Sequence, residues 1–261
     1  MWTWEGKTYL QKKNGIPIQL HSLVYDERSW NYTEPLIEAD SISLTTYIDI
    51  DKQHPIFRGY PFVCSLSLIY RLTSEGLKII YRVENKDTHD MPFGFALHPY
   101  FAKLSGEDGT LISVPCDYWY ETRNDVENTF LCKYAGGFIQ IPNILPTGRL
   151  IDVDSGGNNL KEPVPVGNLD LDHVFTGFVD GRNSYIEYKT LKLRLNIVCS
   201  NDFTHSVVFT PPRKPYFCIE PQTCSTDAVN LHNKGIKHAH LMVLEKGKVH
   251  TGEVNFLPHF L

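Results

Sequence analysis

The chain lacks several features that assign many proteins to a class. Its six cysteines form no CxxC pair, which argues against a zinc ribbon or a thioredoxin-type redox site. Basic residues are not in excess, since 25 lysines and arginines stand against 30 acidic residues and give a formal net charge of -5. Nucleic-acid readers usually carry a clustered basic face. We therefore expect no nucleic-acid partner.

Long apolar runs are also missing. No stretch is long enough to span a bilayer, and residues 1–7 lack the basic and apolar regions of a secretory signal. These absences predict a soluble, cytoplasmic protein without a membrane partner. The scattered cysteines are then expected to be buried thiols, and Cys218, within an apolar strand pattern, is expected to pack in the core.

Helical periodicity is scarce, and short strand patterns fill the chain. Residues 62–72 and 77–85 flank a Ser-Glu-Gly turn and predict a β-hairpin, whereas residues 227–233 are long enough for one helical turn only. Further strands are predicted at 41–50, 184–189, 191–198, 206–210 and 238–244. This spacing is typical of an all-β sandwich or barrel. With 42% hydrophobic residues, residues 1–261 are expected to form a single domain.

Two motifs place an ionisable residue between an apolar strand and a proline. The first is the run at 92–101, in which His98 precedes Pro99, and the second is the run at 217–223, in which Glu220 precedes Pro221. Proline biases the preceding residue toward extended geometry, so the His98 imidazole is expected at a strand end. The apolar flanks of Glu220 indicate partial burial and a raised pKa. The pair suggests an acid and a base.

Four ordered blocks resemble the aldose 1-epimerase family, whose members are galactose mutarotase-like proteins. The blocks are Phe-Ala-Leu-His-Pro-Tyr-Phe at 95–101, Leu-Pro-Thr-Gly at 145–148, Leu-Asp-His-Val-Phe at 171–175, and Ile-Glu-Pro-Gln-Thr at 219–223 with Asp-Ala-Val-Asn at 227–230. The resemblance covers nearly the whole chain. It implies a large antiparallel β-sandwich, the galactose mutarotase-like supersandwich, with a sugar cleft on one curved sheet.

The resemblance also implies roles for individual residues. His98 and Glu220 match the catalytic pair, Asp172 matches a sugar-binding aspartate, and His21 matches a substrate-binding histidine, with Ser22 where the family usually has glycine. Family members usually carry further strands before this point, including a sugar-binding arginine. We expect the chain to begin after them. The exposed sheet edge would then be covered by a homodimer partner or by the segment with Trp2 and Trp4.

The chemistry implied is the interconversion of α and β anomers of an aldohexose, which makes the chain an isomerase in carbohydrate metabolism. Ring opening needs one proton on the ring oxygen and the loss of another from the C1 hydroxyl, so no metal and no cofactor are expected. A histidine that titrates near neutral pH and a carboxylate can perform both transfers. We assign His98 as the acid and Glu220 as the base.

Two alternatives remain open from the sequence. A mutarotase for phosphorylated hexoses would need a basic cluster, for which Arg58, Lys103, Arg149 and Arg213 are dispersed candidates. A non-catalytic carbohydrate-binding protein of the same fold would not need an acid and base pair.

Several neighbouring residues have structural interpretations. His173 adjoins Asp172 but is expected on the opposite strand face. The histidines near the end of the chain, His232, His238, His240 and His250, match no metal-ligand spacing. The aromatic run at 118–120 suits sandwich packing at least as well as sugar stacking.

Overall fold

The computed structural model describes residues 1–10, 12–13, 16–17, 23–24, 27–122, 125–134, 137–143 and 145–261. At 12–13, 16–17, 125–134 and 137–143 it describes the backbone alone. Among the described residues, no helix has the length and apolar character that crossing a membrane requires.

The chain is built from antiparallel β-strands, as the sequence predicts. The strands are β1 (Trp2–Trp4), β2 (Lys7–Tyr9), β3 (Lys12–Lys13), β4 (Ile16–Pro17), β5 (Asn31–Tyr32), β6 (Leu36–Ile37), β7 (Ser41–Ile50), β8 (Cys64–Thr73), β9 (Gly76–Asn85), β10 (Met91–Phe93), β11 (Tyr100–Ala102), β12 (Thr110–Ser113), β13 (Cys116–Thr122), β14 (Asp125–Tyr134), β15 (Gly137–Asn143), β16 (Pro146–Asp152), β17 (Val164–Pro165), β18 (Asp172–Phe178), β19 (Ser184–Tyr188), β20 (Leu193–Cys199), β21 (His205–Phe209), β22 (Tyr216–Gln222), β23 (Met242–Leu244) and β24 (Val249–Phe260). The helices are α1 (Gly106–Gly109), α2 (Val153–Gly156) and α3 (Ala228–Asn233).

Two large sheets form the sandwich. One has six strands in the order β11-β22-β21-β18-β13-β16, and the other has the order β17-β12-β19-β20-β24-β9-β8-β7-β5, with β6 also paired to β7. The predicted hairpin is β8 and β9, joined where Thr73 pairs with Gly76. The strand predicted at 41–50 is β7 with the same bounds. The prediction of an all-β antiparallel sandwich is confirmed.

Strand alternation divides the side chains of the six-stranded sheet between two faces. On β22, Phe217 and Ile219 enter the main core between the sheets, where they join residues of the larger sheet such as Ile197 and Val254. Neighbouring side chains on a strand point to opposite faces, so Cys218 and Glu220 lie on the outer face. The outer face of this sheet, which carries Glu220, is therefore the candidate site face.

A second apolar cluster covers part of that outer face. Tyr120, Val174 and Val207 of the sheet pack with Ala228 and Leu231 of α3. The covering segment continues into a 3-10 turn at Lys237–Ala239, after which His240 has a positive φ of 52°. The prediction of a strand at 238–244 is therefore wrong in its first half. The chain turns there because it packs over the sheet rather than extending it.

The tryptophan-rich N-terminal hairpin contacts α3 and a neighbouring turn. Trp2 Nε1 donates to the carbonyl oxygen of Gly59 at 3.1 Å, and the Asn233 side-chain amide donates to the carbonyl oxygen of Thr3 at 2.6 Å. β1 and β2 pair with each other and belong to neither large sheet. The segment with Trp2 and Trp4, which was expected to cover a sheet edge, thus lies over α3 instead. The homodimer stays a prediction.

Candidate functional site

The register of one edge strand brings the two predicted catalytic residues together. Ala96 forms a bridge with Gln222, and Tyr100 pairs with Cys218 further along the same strands. This antiparallel register is continuous between the two pairs, so His98 falls opposite Glu220. The extended position predicted from Pro99 is what the structure has, because His98 lies between the bridge and β11.

Local contacts hold the edge segment against β22. The hydroxyl oxygen of Thr223 accepts the backbone N–H of Phe95 at 2.9 Å, and the N–H of Thr223 donates to the carbonyl oxygen of Phe95 at 2.9 Å. Gly94 is required by this close approach, since a Cβ there would overlap the Sγ of Cys224. The N–H of Leu97 donates to the carbonyl oxygen of Pro221 at 3.1 Å. These bonds fix the backbone one residue before His98.

His98 and Glu220 form a close, largely buried pair. Nε2 of His98 lies 3.2 Å from Oε1 of Glu220, and the exposed fractions of the two side chains are 21% and 8%. The imidazole ring stacks on the ring of Tyr100, with centroids 4.9 Å apart and planes inclined by 13°. A stacked ring has restricted χ angles, so the imidazole is held in place. The pair can therefore transfer protons at one fixed point of the cleft.

The environment shifts the pKa values of the pair in opposite directions. Burial, with a smaller contribution from the charge of Asp172, raises the pKa of Glu220 to about 8. Burial lowers the pKa of His98. A carboxylate with a raised pKa is a stronger base, and an imidazolium with a lowered pKa is a stronger acid. Near neutral pH these shifts leave the proton of the resting pair on Glu220, and the minor form with an ionised Glu220 and a protonated His98 holds both a strong base and a strong acid.

Asp172 lies on the same outer face, two strands away from Glu220. It pairs with Phe209, and Phe209 pairs with Cys218, so these side chains form one row across the sheet. Asp172 keeps part of its surface exposed, but the protein around it raises the pKa of its carboxyl to about 6. The effect of Asp172 on the pKa of Glu220 indicates that the two carboxyls face a common space.

Sequence reasoning missed two residues in this row. Phe209 is half-buried and belongs to neither apolar cluster, which leaves its ring on the site face between Asp172 and Cys218. Cys218 was expected in the core; its thiol is buried, but it shares the face of Glu220, and burial raises its pKa to about 12. Donor atoms of His98, Cys218 and Glu220 lie within 4.8 Å of one another. The spacing of two residues between Cys218 and Glu220 was the sequence signal that places both side chains on one face of the strand.

Of the other candidates, neither His173 nor Tyr120 belongs to this row. His21 lies outside the described residues, so its role stays a prediction. His173 lies on the inner face, where its ring meets the edge of the core-packed Trp119 at 4.9 Å. Tyr120 is fully buried and donates to the carbonyl oxygen of His238 at 2.7 Å, which makes it a packing residue.

The late histidines have separate structural partners. His232 contacts Trp4, His238 lies 2.8 Å from the carbonyl oxygen of Gly148, His240 contacts His205, and His250 lies 3.1 Å from Asp202. In the described part of the chain, they form no group with the geometry of a metal site.

The basic candidates do not converge. Lys103 pairs with Glu107 at 3.2 Å, Arg149 pairs with Glu121, and Arg58 ends a 3-10 turn. Arg213 is different, because it is exposed in the turn that joins β21, the strand of Phe209, to β22.

Comparison with known proteins places this fold among the galactose mutarotase-like proteins. A galactose mutarotase-like protein from Clostridium acetobutylicum superposes with a TM-score of 0.79 at 18% identity, over 100% of this chain and 75% of that one. Galactose 1-epimerase from Lactobacillus acidophilus has a TM-score of 0.71 at 14% identity, over 99% of this chain and 75% of that one. An aldose epimerase homologue from C. elegans has a TM-score of 0.70 at 13% identity, over 100% and 78%.

The sequence itself matches the family model described as aldose 1-epimerase over residues 1–257. The chain therefore belongs to the aldose 1-epimerase family.

Proposed function

We propose that this chain is an aldose 1-epimerase that interconverts the α and β anomers of a free aldohexose. The observation that carries the proposal is the buried contact of 3.2 Å between Nε2 of His98 and Oε1 of Glu220. Family membership supports an epimerase, which is an isomerase. We further propose that residues 1–261 act as one domain, since one core cluster joins both large sheets.

The proposed reaction is a balanced exchange of protons. The Glu220 carboxylate takes the proton of the C1 hydroxyl while the His98 imidazolium protonates the ring oxygen, and the bond between C1 and that oxygen breaks. Rotation about the C1–C2 bond turns the other face of the aldehyde toward the hydroxyl. In reclosure, His98 takes its proton back and Glu220 returns the other, so both residues recover their initial states. Each transfer contributes about 10²–10⁴-fold.

Asp172 and Phe209 are proposed to hold the sugar. The Asp172 carboxylate accepts hydrogen bonds from hydroxyls far from C1, because it lies two strands away from Glu220 on the same face. Phe209 lies between the two strands that carry these acids. Sugar C–H groups carry partial positive charge and pack well on the negative face of an aromatic ring. The row therefore provides an acidic anchor, an apolar floor and a proton-transfer pair.

A second candidate function is the same reaction on a hexose phosphate. The observation that favours it is the exposed turn with Arg213 and Lys214, which joins β21, the strand of Phe209, to β22, the strand of Glu220. Basic side chains at that rim can bind a phosphate. An Arg213→Gln, Lys214→Gln variant would then lose activity on glucose 6-phosphate and keep activity on glucose. An equal effect on both sugars, or none, would count against this candidate.

Polarimetry tests the proposal directly. Freshly dissolved α-galactose, α-glucose and α-glucose 6-phosphate should each be followed with wild-type protein, with Glu220→Gln and with buffer. We expect the wild type to accelerate equilibration of at least one sugar over buffer, and Glu220→Gln to abolish nearly all of that acceleration. If the wild type binds a hexose in calorimetry but accelerates none of them, the chain is a carbohydrate-binding protein of this fold.

A further inference from the structure

Three side chains with metal-binding atoms meet at the candidate site. One ring nitrogen of His98, Sγ of Cys218 and a carboxylate oxygen of Glu220 all lie within 4.8 Å of one another. They represent three different ligand chemistries: imidazole, thiolate and carboxylate. The mechanism proposed above uses the histidine and the glutamate and leaves the thiol without a chemical role.

The fold explains why these three donors meet. Cys218 and Glu220 are two residues apart on β22 and therefore share a face. His98 lies opposite Glu220 on the edge segment, and Tyr100 pairs with Cys218. The thiol is fully buried beneath this edge, whereas the histidine side chain retains 21% of its exposure and gives access from solvent.

The separations match the needs of a small soft cation. Zinc binds nitrogen, oxygen and sulfur at about 2.0–2.3 Å in a tetrahedron, which places its ligand atoms roughly 3.3–3.8 Å apart. The pair of His98 and Glu220 is at 3.2 Å, and the limit of 4.8 Å on the other separations leaves shifts of at most about 1.5 Å to be made. Three protein ligands leave the fourth position to a water molecule.

We propose that His98, Cys218 and Glu220 form a site for Zn²⁺ or a similar thiophilic divalent cation, and that the bound cation blocks the cleft as an inhibitor. The imidazole and thiolate donors select zinc and cobalt over magnesium and calcium, which prefer all-oxygen sites. The cation occupies the lone pairs of His98 and Glu220 that the proton transfers require. Inhibition is therefore competitive with the sugar, and the metal plays no part in turnover.

Cobalt reports on this site without any assay of turnover. Co²⁺ added to the wild-type protein should give one equivalent of a tetrahedral complex with a thiolate-to-cobalt charge-transfer band, and Zn²⁺ should displace it. Cys218→Ser and Cys218→Ala should lose that band and bind Co²⁺ at least tenfold more weakly. Cys199→Ser is the matched control, because that half-buried thiol lies on the larger sheet, and it should keep the band.

The outcomes separate this inference from the proposed function. If the wild type accelerates mutarotation, Zn²⁺ should raise the KM for the sugar, and Cys218→Ser should need at least tenfold more Zn²⁺ for the same inhibition. If the wild type is inactive on every sugar, the cobalt band still decides the metal site. Absence of the band in the wild type, or its persistence in both Cys218 variants, would overturn the inference.

A measurement on the wild type covers the case in which neither Cys218 variant folds. X-ray absorption at the zinc edge of the wild-type complex should then show one sulfur ligand at about 2.3 Å beside nitrogen and oxygen ligands at about 2.0–2.2 Å. A zinc shell made of nitrogen and oxygen ligands alone would again overturn the inference.

Discussion

Among the histidine–carboxylate pairs of the described residues, two are joined through Nε2 and are alike in geometry but opposite in character. Nε2 of His98 lies 3.2 Å from Glu220, and Nε2 of His250 lies 3.1 Å from Asp202. Both carboxyl groups are largely buried, at 8% and 14% exposure. The pKa of Glu220 is nevertheless raised to about 8, whereas the pKa of Asp202 is lowered.

The difference lies in the hydrogen-bond donors around each carboxylate. Burial acts against the charged form of Asp202, but donors from Ser200, Tyr81 and His250 outweigh it and lower the pKa. For Glu220, burial is reinforced by the charge of Asp172, and the pKa rises. A buried carboxylate with enough hydrogen-bond donors stabilises the fold, whereas a carboxylate with a raised pKa is a stronger base toward a bound molecule. Histidine contact alone does not distinguish the two cases.

The largest expected effect is on turnover and is confined to the first pair. His98→Asn and Glu220→Gln should each slow mutarotation by about 100-fold or more, because each removes one proton-transfer group. The double variant should be little slower than either single one, since the two residues act as a unit. Polarimetry with His250→Asn provides the matched control and should stay within about twofold of wild type. Equal losses of mutarotation rate in His98→Asn and His250→Asn would show that the two pairs do not differ in function.

The next effect is on stability and should fall on the second pair. Asp202→Asn weakens bonds from Ser200, Tyr81 and His250, so the free energy of unfolding should drop by about 2 kcal/mol. Gly252 allows this cluster to close, since a Cβ there would overlap Oδ2 of Asp202. Urea denaturation measures the change, with Glu220→Gln as the control that leaves stability unchanged or raises it. A loss in Glu220→Gln as large as in Asp202→Asn would contradict this assignment.

The pH dependence of stability should have opposite signs for the two carboxyls. The lowered pKa of Asp202 stabilises the fold above the unfolded value of about 3.9, and this contribution is lost as the pH falls through the folded pKa. The raised pKa of Glu220 favours the protonated folded state, so its contribution is present below about pH 4.3 and is lost as the pH rises through about 8.

Denaturation at a series of pH values checks both signs against the variants. Glu220→Gln should gain stability relative to wild type between about pH 5 and 8, while the deficit of Asp202→Asn should shrink toward pH 3. A Glu220→Gln difference that does not change over this range would show that burial does not act on Glu220 as described.

Much of the fold could be predicted because its signals are local. Alternating side chains bounded by turn residues define β7 and the hairpin of β8 and β9 to within one or two residues. The segment at 238–244 failed for a tertiary reason. Its first half turns over the outer face of the sheet, where Ala239 is buried in the second cluster, and no local pattern encodes that contact.

The candidate site was predicted in part for the same reason. The two strand-and-proline motifs marked His98 and Glu220, but the pairing of Ala96 with Gln222 joins distant parts of the chain and could not be derived from local patterns. Phe209 carries no signal of its own, since its place follows only from its register with Asp172 and Cys218. Alternation along β22 would have placed Cys218 beside Glu220, but a small buried thiol is more often a core residue.

The smallest expected effect concerns Phe209, which distinguishes a sugar platform from a packing residue. Phe209→Leu keeps apolar volume but removes the aromatic face, so the KM for the sugar should rise about fivefold, equivalent to about 1 kcal/mol, while kcat changes less than twofold. Phe209→Tyr retains the ring and should restore the wild-type KM. Polarimetry at several sugar concentrations separates the two constants. A fall in kcat with an unchanged KM would mean that Phe209 supports Glu220 through the sheet and does not touch the sugar.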